Sequence, residues 1–239
     1  MQSFLKNSVP FEELIDFARL KNESVLEIGV GNGSHAQLLS SNCKDFIGID
    51  LTAYGVESSS KRMEVFSIDN AKILQMNAEE LSFGDGQFDF VWSWGVVHHS
   101  ANTSRIIRQI NRVLKPEGHS TIMVYHRGYF NFYFVGFLLH GIIKGVFLKT
   151  WSLHRVVQIV TDGAIAKYYK PSELCALLEQ AGLVVDKVSV YGNKVELLPL
   201  PPGKIKGVLS DFLPNRFSRF LTHHCRMGSM LVATFHKPK

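Results

Sequence analysis

Apolar residues along the chain fall into two rhythms, and the rhythms predict the elements. Short, nearly continuous apolar runs recur at residues 24–29 (SVLEIG), 45–50 (DFIGID), 72–77 (KILQMN), 88–95 (FDFVWSWG) and 120–126 (STIMVYH). Runs of this length read as buried strands. Between them, apolar positions return every three or four residues, the period of one helix face. Residues 34–41 have that spacing, with Ser34 placed as an N-cap. The stretch 51–70 holds a poorly defined helix. The clearest helix begins at Thr103; Ile106, Ile107, Ile110, Val113 and Leu114 form its buried stripe, and Pro116 with Gly118 are expected to stop it. Residues 170–182 read as a capped helix ending at Gly182. Two further strands, 183–192 and 229–237, are separated by a proline-rich stretch near 198–202.

Strands alternating with helices predict an α/β fold with a doubly wound, mostly parallel sheet. The last two strands have no convincing helix between them and are expected as an antiparallel pair at one edge. Ligands of such sheets sit outside the carboxyl ends of the strands, near the point where strand order reverses. A chain of 239 residues, 46% hydrophobic and free of low-complexity tracts, is expected to fold as one domain over 1–239. Cys43, Cys175 and Cys225 are far apart and show no CxxC spacing, which favours a reducing compartment, the cytoplasm. The first residues hold no long apolar core and no small-residue cleavage site, so no signal peptide is expected. The net charge of +5 is compatible with an anionic ligand or a membrane surface, but a scatter of surface lysines is the preferred reading.

Candidate chemistry begins at "VLEIGVGNGSHAQLL", residues 25–39. Gly29, Gly31 and Gly33 sit between a strand and a helix, with Glu27 just upstream. Glycines at such a turn permit positive φ and let a ligand approach bare backbone. The following helix offers free N–H groups and a positive dipole end. Asp50 closes the next strand 19 residues after Gly31, a spacing at which a carboxylate can accept ribose hydroxyls. The bland alternative makes the glycines a tight turn and Asp50 a helix cap. The spacing is not the dinucleotide G-x-G-x-x-G but G-x-G-x-G preceded by an acid.

In this the chain resembles the class I S-adenosylmethionine-dependent methyltransferases, with a Rossmann-like sheet. The resemblance covers roughly residues 23–125. It implies S-adenosyl-L-methionine as cofactor, with Glu27 toward its cationic end and Asp50, followed by Leu51, at the ribose. "NAEELSF" (77–83) resembles the segment after the third strand, which implies that Ala78 and Glu79 flank the adenine ring and its amino group, with Asn77 also binding the cofactor. "FDFVWSWGVVHH" resembles the fourth-strand motif, which implies that Ser93 and Trp94 line the methionine end. "VLKPEG" before the fifth strand is similar to the small-molecule branch that contains the quinone-biosynthesis enzymes.

Methyl transfer needs alignment first, and a base if the acceptor carries a proton. His98 and His99 follow the fourth strand, where an acceptor would meet the methyl group. An imidazole can take a proton from a hydroxyl or phenol. Either His is a candidate base, and either can instead cap the next helix or shape the pocket. His126 ends the fifth strand at the ligand face of the sheet and is a third catalytic candidate, with a pocket-lining role and a structural one both open. The "THHC" stretch at 222–225 looks like soft metal ligands, but adjacent strand residues face opposite ways, so no metal is expected. His35 is expected to face solvent from its helix.

Residues 129–151, "YFNFYFVGFLLHGIIKGVFLKTW", are dense in apolar side chains. Lys144 and the glycines interrupt them, and the strands on either side belong to one sheet, so a membrane span is rejected. Two insertions, 128–165 and 193–227, are expected to form a lid over a hydrophobic acceptor. Peripheral membrane contact is the second reading, through Lys144, Lys149, His154 and Arg155; the second insertion adds Lys204, Lys206, Arg216 and Arg219. The leading function is methylation of a small apolar or aromatic acceptor, first at oxygen. The alternatives are a nucleic-acid methyltransferase, disfavoured because no N/D-P-P-Y motif follows the fourth strand, and a non-catalytic cofactor-binding protein. No nucleic-acid partner is expected, and the oligomeric state is left open.

Overall fold

The computed structural model describes residue 9 and residues 11–161, 166–200 and 203–239. Residues 162–165 of the first insertion, 201–202 of the proline-rich stretch and most of the segment read for a signal peptide lie outside the described residues. The chain divides into two compact units. One comprises Glu12–Met123, Leu174–Lys187 and Ala233–Lys239; the other comprises Val124–Glu173, Val188–Val232 and the described residues of 1–11.

The strands are β1 (Ser24–Ile28), β2 (Asp45–Asp50), β3 (Ala71–Gln75), β4 (Phe88–Trp94), β5 (Leu114–His126), β6 (Tyr168–Tyr169), β7 (Val184–Tyr191) and β8 (Met230–His236). Among the described residues they make one sheet in the order β3-β2-β1-β4-β5-β8-β7, with β6 beside β5. β1 through β5 pair in parallel, as the alternating pattern predicts. β8 runs antiparallel to β5: Lys237 N–H donates to the Gly118 carbonyl at one end (2.9 Å), and His126 N–H to the Ser229 carbonyl at the other (2.7 Å). Strand order reverses between β1 and β4, so the switch point falls at their carboxyl ends.

In the first unit, α1 (Ser34–Ser40), α2 (Ala53–Val65) and α3 (Thr103–Val113) follow β1, β2 and β4. α3 buries Ile106, Ile107, Ile110 and Val113 to 2% exposure or less, and each such side chain contributes about 1.5–3 kcal/mol. Asn102 caps α3, its side chain accepting from Arg105 N–H at 3.1 Å. Two local expectations are corrected. Ser34 is not the cap of α1: Gly33 holds that position at φ 76°, and Ser34 instead bonds back to Asn32 Oδ1. α3 ends before Leu114, which is already extended; the proline at 116 bars helical backbone at Lys115, so the strand starts early.

In the second unit, residues Tyr129–Ile143 form a helix of wide, π-type turns, followed by short Val146–Thr150 and then α4 (Leu153–Thr161). Gly136 lets α4 pack close, since a Cβ there would lie 2.6 Å from Val157 Cγ2. Phe132, Val157, Ala166 and Tyr168 make a small apolar core. No described helix is long and apolar enough to cross a membrane. The 222–225 stretch is corrected from strand to helical turn: residues 222–224 lie within Phe220–His224, and Cys225 closes it. Its two imidazoles still diverge: His223 meets the Tyr191 ring edge-on at 4.9 Å, and His224 stacks on Phe220 at 5.8 Å.

Candidate functional site

A cavity of about 520 Å³ opens at the carboxyl ends of β1, β2, β3 and β4. That is the position the strand order dictates, and the size suits a small organic ligand. Of the predicted residues, Gly29, Asp50, Leu51, Asn77, Ala78, Glu79 and His99 line it. Its remaining wall includes Met76, Val96, Ser100 and Ala101, which the sequence reading passed over. Met76 directly follows β3 and Val96 follows β4 by two residues; applying the carboxyl-end rule to each strand in turn would have found both.

The three glycines all adopt positive φ, at 82°, 52° and 76°. At Gly29 the requirement is steric as well: a Cβ would lie 2.1 Å from Val96 Cγ2. At Gly33 it would lie 3.0 Å from Ser59 Cα on α2, so the loop and α2 touch through bare backbone. Asp50 ties the loop down. Its Oδ2 accepts from Gly31 N–H at 3.0 Å, and its Oδ1 accepts from Thr52 N–H (2.9 Å) and Thr52 Oγ1 (2.7 Å). Each carboxylate oxygen has two acceptor positions, so Oδ2 keeps one for a ligand. Gly55 makes room for this carboxylate, because a Cβ at 55 would stand 2.5 Å from its Cγ.

Glu27 lies behind the loop, 1% exposed, and does not line the cavity. Among the described residues no donor reaches its Oε2. Burial, and then the charge of Asp50, push its carboxyl well above the usual range. Glu79 braces the far wall: its Oε1 accepts from Ser100 Oγ at 2.7 Å and Asn102 N–H at 3.0 Å.

Other predicted residues are placed elsewhere. Ser93 is fully buried and donates to the Ile28 carbonyl at 3.0 Å. Trp94 stacks on Trp92 with centroids 5.3 Å apart. His35 is corrected from a solvent-facing residue: it packs edge-on against both indoles at 5.8 Å and accepts from Trp92 Nε1 at 3.4 Å. His126, in the second unit, is 6% exposed with Nδ1 2.9 Å from the Gly228 carbonyl.

The histidine pair is split. The turn Val97–His99 points the two rings apart in exposure: His98 is fully buried, while His99 is half-buried on the cavity wall. Burial drives His98 down to about 3, and His35 and His119 each down to about 4. These folded values lie below 6.5, so the unfolded chain takes up protons first as pH falls. Stability is therefore lost on acidification from about pH 6.5 toward pH 4, by at most about 1.4 kcal/mol per unit for each ring. Glu23, Glu27 and Glu196, all raised, act in the opposite sense but are outnumbered, since His126, His140 and His154 are lowered as well. Calorimetric melting should show a midpoint that falls between pH 7 and pH 5; a flat or rising midpoint would refute it.

Residues 26–122 match a family model described as a methyltransferase domain. These residues are similar to a methyltransferase domain. Beyond the family model, "Uncharacterized methyltransferase YcgJ" of Bacillus subtilis is 34% identical over 94 residues, 39% of this chain and 37% of that protein. A 27-O-demethylrifamycin SV methyltransferase of Amycolatopsis mediterranei is 33% identical over 98 residues, 40% and 36% of the two chains. A ubiquinone biosynthesis O-methyltransferase of Acinetobacter baylyi is 24% identical over 165 residues, 69% and 64%. The chain thus spans little more than a third of the first two relatives. The crystal structure of YcgJ superposes with a TM-score of 0.62 at 17% identity, covering 93% of this chain and 96% of that one. The matched residues, 26–122, include all those that line the cavity described above.

Proposed function

We propose that this chain is an S-adenosylmethionine-dependent methyltransferase acting on a small apolar or aromatic acceptor at oxygen. The observation that carries the reading is Asp50, which closes β2 on the cavity wall and keeps an acceptor position there, beside a glycine loop of bare backbone at positive φ. A ribose hydroxyl suits that position. S-adenosylmethionine carries such a ribose, and when bound it supplies an electrophilic methyl on sulfur. Leu51, Asn77 and Ala78 fit the adenine end, with Glu79 fixing that wall through Ser100 and Asn102. Ser93 and Trp94 act from behind the wall, holding β4 against β1 and α1.

The chain's work is alignment, the main source of rate in such a displacement. His99 accepts the acceptor's proton, supported by its place on the cavity wall. The oxygen assignment draws on the names of the rifamycin and ubiquinone relatives. The insertions 128–165 and 193–227 are read with the rest of the chain as one methyltransferase domain, and their apolar side chains suit an apolar acceptor; exposed aromatics such as Tyr129, Phe134 and Trp151 support this.

Calorimetry with S-adenosylhomocysteine, paired with a labelled-methyl screen of phenolic and hydroxylated acceptors, tests the reading. Asp50→Ala should weaken binding by about 1.5–3 kcal/mol, the range for a hydrogen bond to a charged group. In the same screen Phe134→Ala should raise the acceptor KM and leave that affinity alone. Wild-type binding of NAD with none of S-adenosylhomocysteine would overturn the assignment; binding without transfer would leave a cofactor-binding protein.

A further inference from the structure

Helix α5 (Pro171–Gln180) follows the usual rule, burying Leu174 and Leu178. Helix α6 (Lys204–Phe212), in the second unit, inverts it. Ile205, Val208, Leu209 and Phe212 stand at i, i+3, i+4 and i+7 and so form one stripe. A stripe of this kind ordinarily packs on the core. Here the four side chains are 75%, 56%, 44% and 81% exposed, while polar Ser210 on the other side of the helix is 2% exposed. Ser210 satisfies itself by donating to the Gly207 carbonyl at 2.7 Å, which makes its burial cheap. Phe217 and Phe220, on the helical turns that follow, are also exposed, at 51% and 53%.

Cations bracket this surface. At 100° per residue, Lys204 and Lys206 fall on opposite flanks of the α6 stripe. Arg216 and Arg219 accompany Phe217 and Phe220. Between residues 203 and 220 the sequence has a single acid, Asp211, and Lys194 lies 3.8 Å from it.

We propose that this face docks on the surface of an anionic phospholipid bilayer, with the apolar stripe set among the headgroups and the cations on their phosphates. An aliphatic and aromatic stripe edged by lysine and arginine matches a surface that is negative above and apolar below. A second copy of the chain is a poorer occupant, because a two-fold contact through this face sets its cations against the same cations. The helix is short, so the docking is reversible and weakens with salt. It is independent of the methyl-transfer reading.

Co-sedimentation of the full chain tests it, using phosphatidylcholine vesicles with and without about a third of phosphatidylglycerol. The wild type should pellet with the anionic vesicles about tenfold better than with the neutral ones, and less at high salt. Ile205→Asp with Phe212→Asp should lose about tenfold or more of that binding, and so should Lys204→Glu with Arg216→Glu, a pair that leaves the apolar stripe in place. All these side chains but half-buried Lys206 are exposed, and the melting temperature of each variant should match the wild type. Three results would overturn the proposal: both variants pelleting like the wild type, equal pelleting with neutral vesicles, or a wild-type dimer in light scattering that the Ile205 and Phe212 changes dissolve.

Discussion

Gly29→Ala is expected to lower folding stability by about 2–5 kcal/mol and to abolish measurable binding of S-adenosylhomocysteine. Two separate penalties add. An L-residue in the left-handed region costs about 1–2 kcal/mol, and Gly29 stands at φ 82°. The new methyl would also sit 2.1 Å from Val96 Cγ2, and forcing such overlap costs about 1–3 kcal/mol. Relief requires Val96 to move, and Val96 lines the cavity, so binding suffers with stability. Adding Val96→Ala removes the two Cγ contacts, at 2.1 and 2.8 Å, but leaves the Cβ contact at 2.9 Å and the backbone penalty. The double variant should therefore be more stable than Gly29→Ala alone, a non-additivity that urea unfolding can measure. A Gly29→Ala protein within about 0.5 kcal/mol of the wild type would show that the loop has slack the geometry denies.

His99→Ala should lower kcat by about 10²–10⁴ while S-adenosylhomocysteine affinity stays close to wild type. His98→Ala should do the reverse: it removes a fully buried ring and destabilises the fold by about 2–4 kcal/mol, with less than tenfold effect on the kcat of protein that remains folded. The contrast comes from the turn Val97–His99, which gives one imidazole to the core and the other to the cavity. The pH profile discriminates further. Burial holds His98 neutral down to about pH 3, so a titration of kcat near neutrality does not belong to it, and His98→Ala should leave the shape of the pH profile unchanged. Losses below tenfold in His99→Ala would leave alignment alone as the source of rate.

Periodicity and glycine chemistry were enough to read the strands β1, β2 and β4, the stripe of α3 and the loop at Gly29, Gly31 and Gly33. Each depends on interactions within a few residues, which local sequence encodes. The site of the cavity was legible too, because strand alternation implies a switch point and Asp50 closes the neighbouring strand. Which side chains reach the cavity was not. Alternation along β4 tells that Ser93 faces away from Trp92 and Trp94, but all three are covered by elements distant in sequence: Ile28 for Ser93, and His35 for both indoles. The adjacent histidines are indistinguishable by residue type, and only the turn that carries them decides which one meets a ligand. The same holds for α6, whose sequence specifies an apolar stripe and its flanking lysines. Whether that stripe turns inward or outward depends on what the rest of the chain packs against it, and the packing chose Ser210.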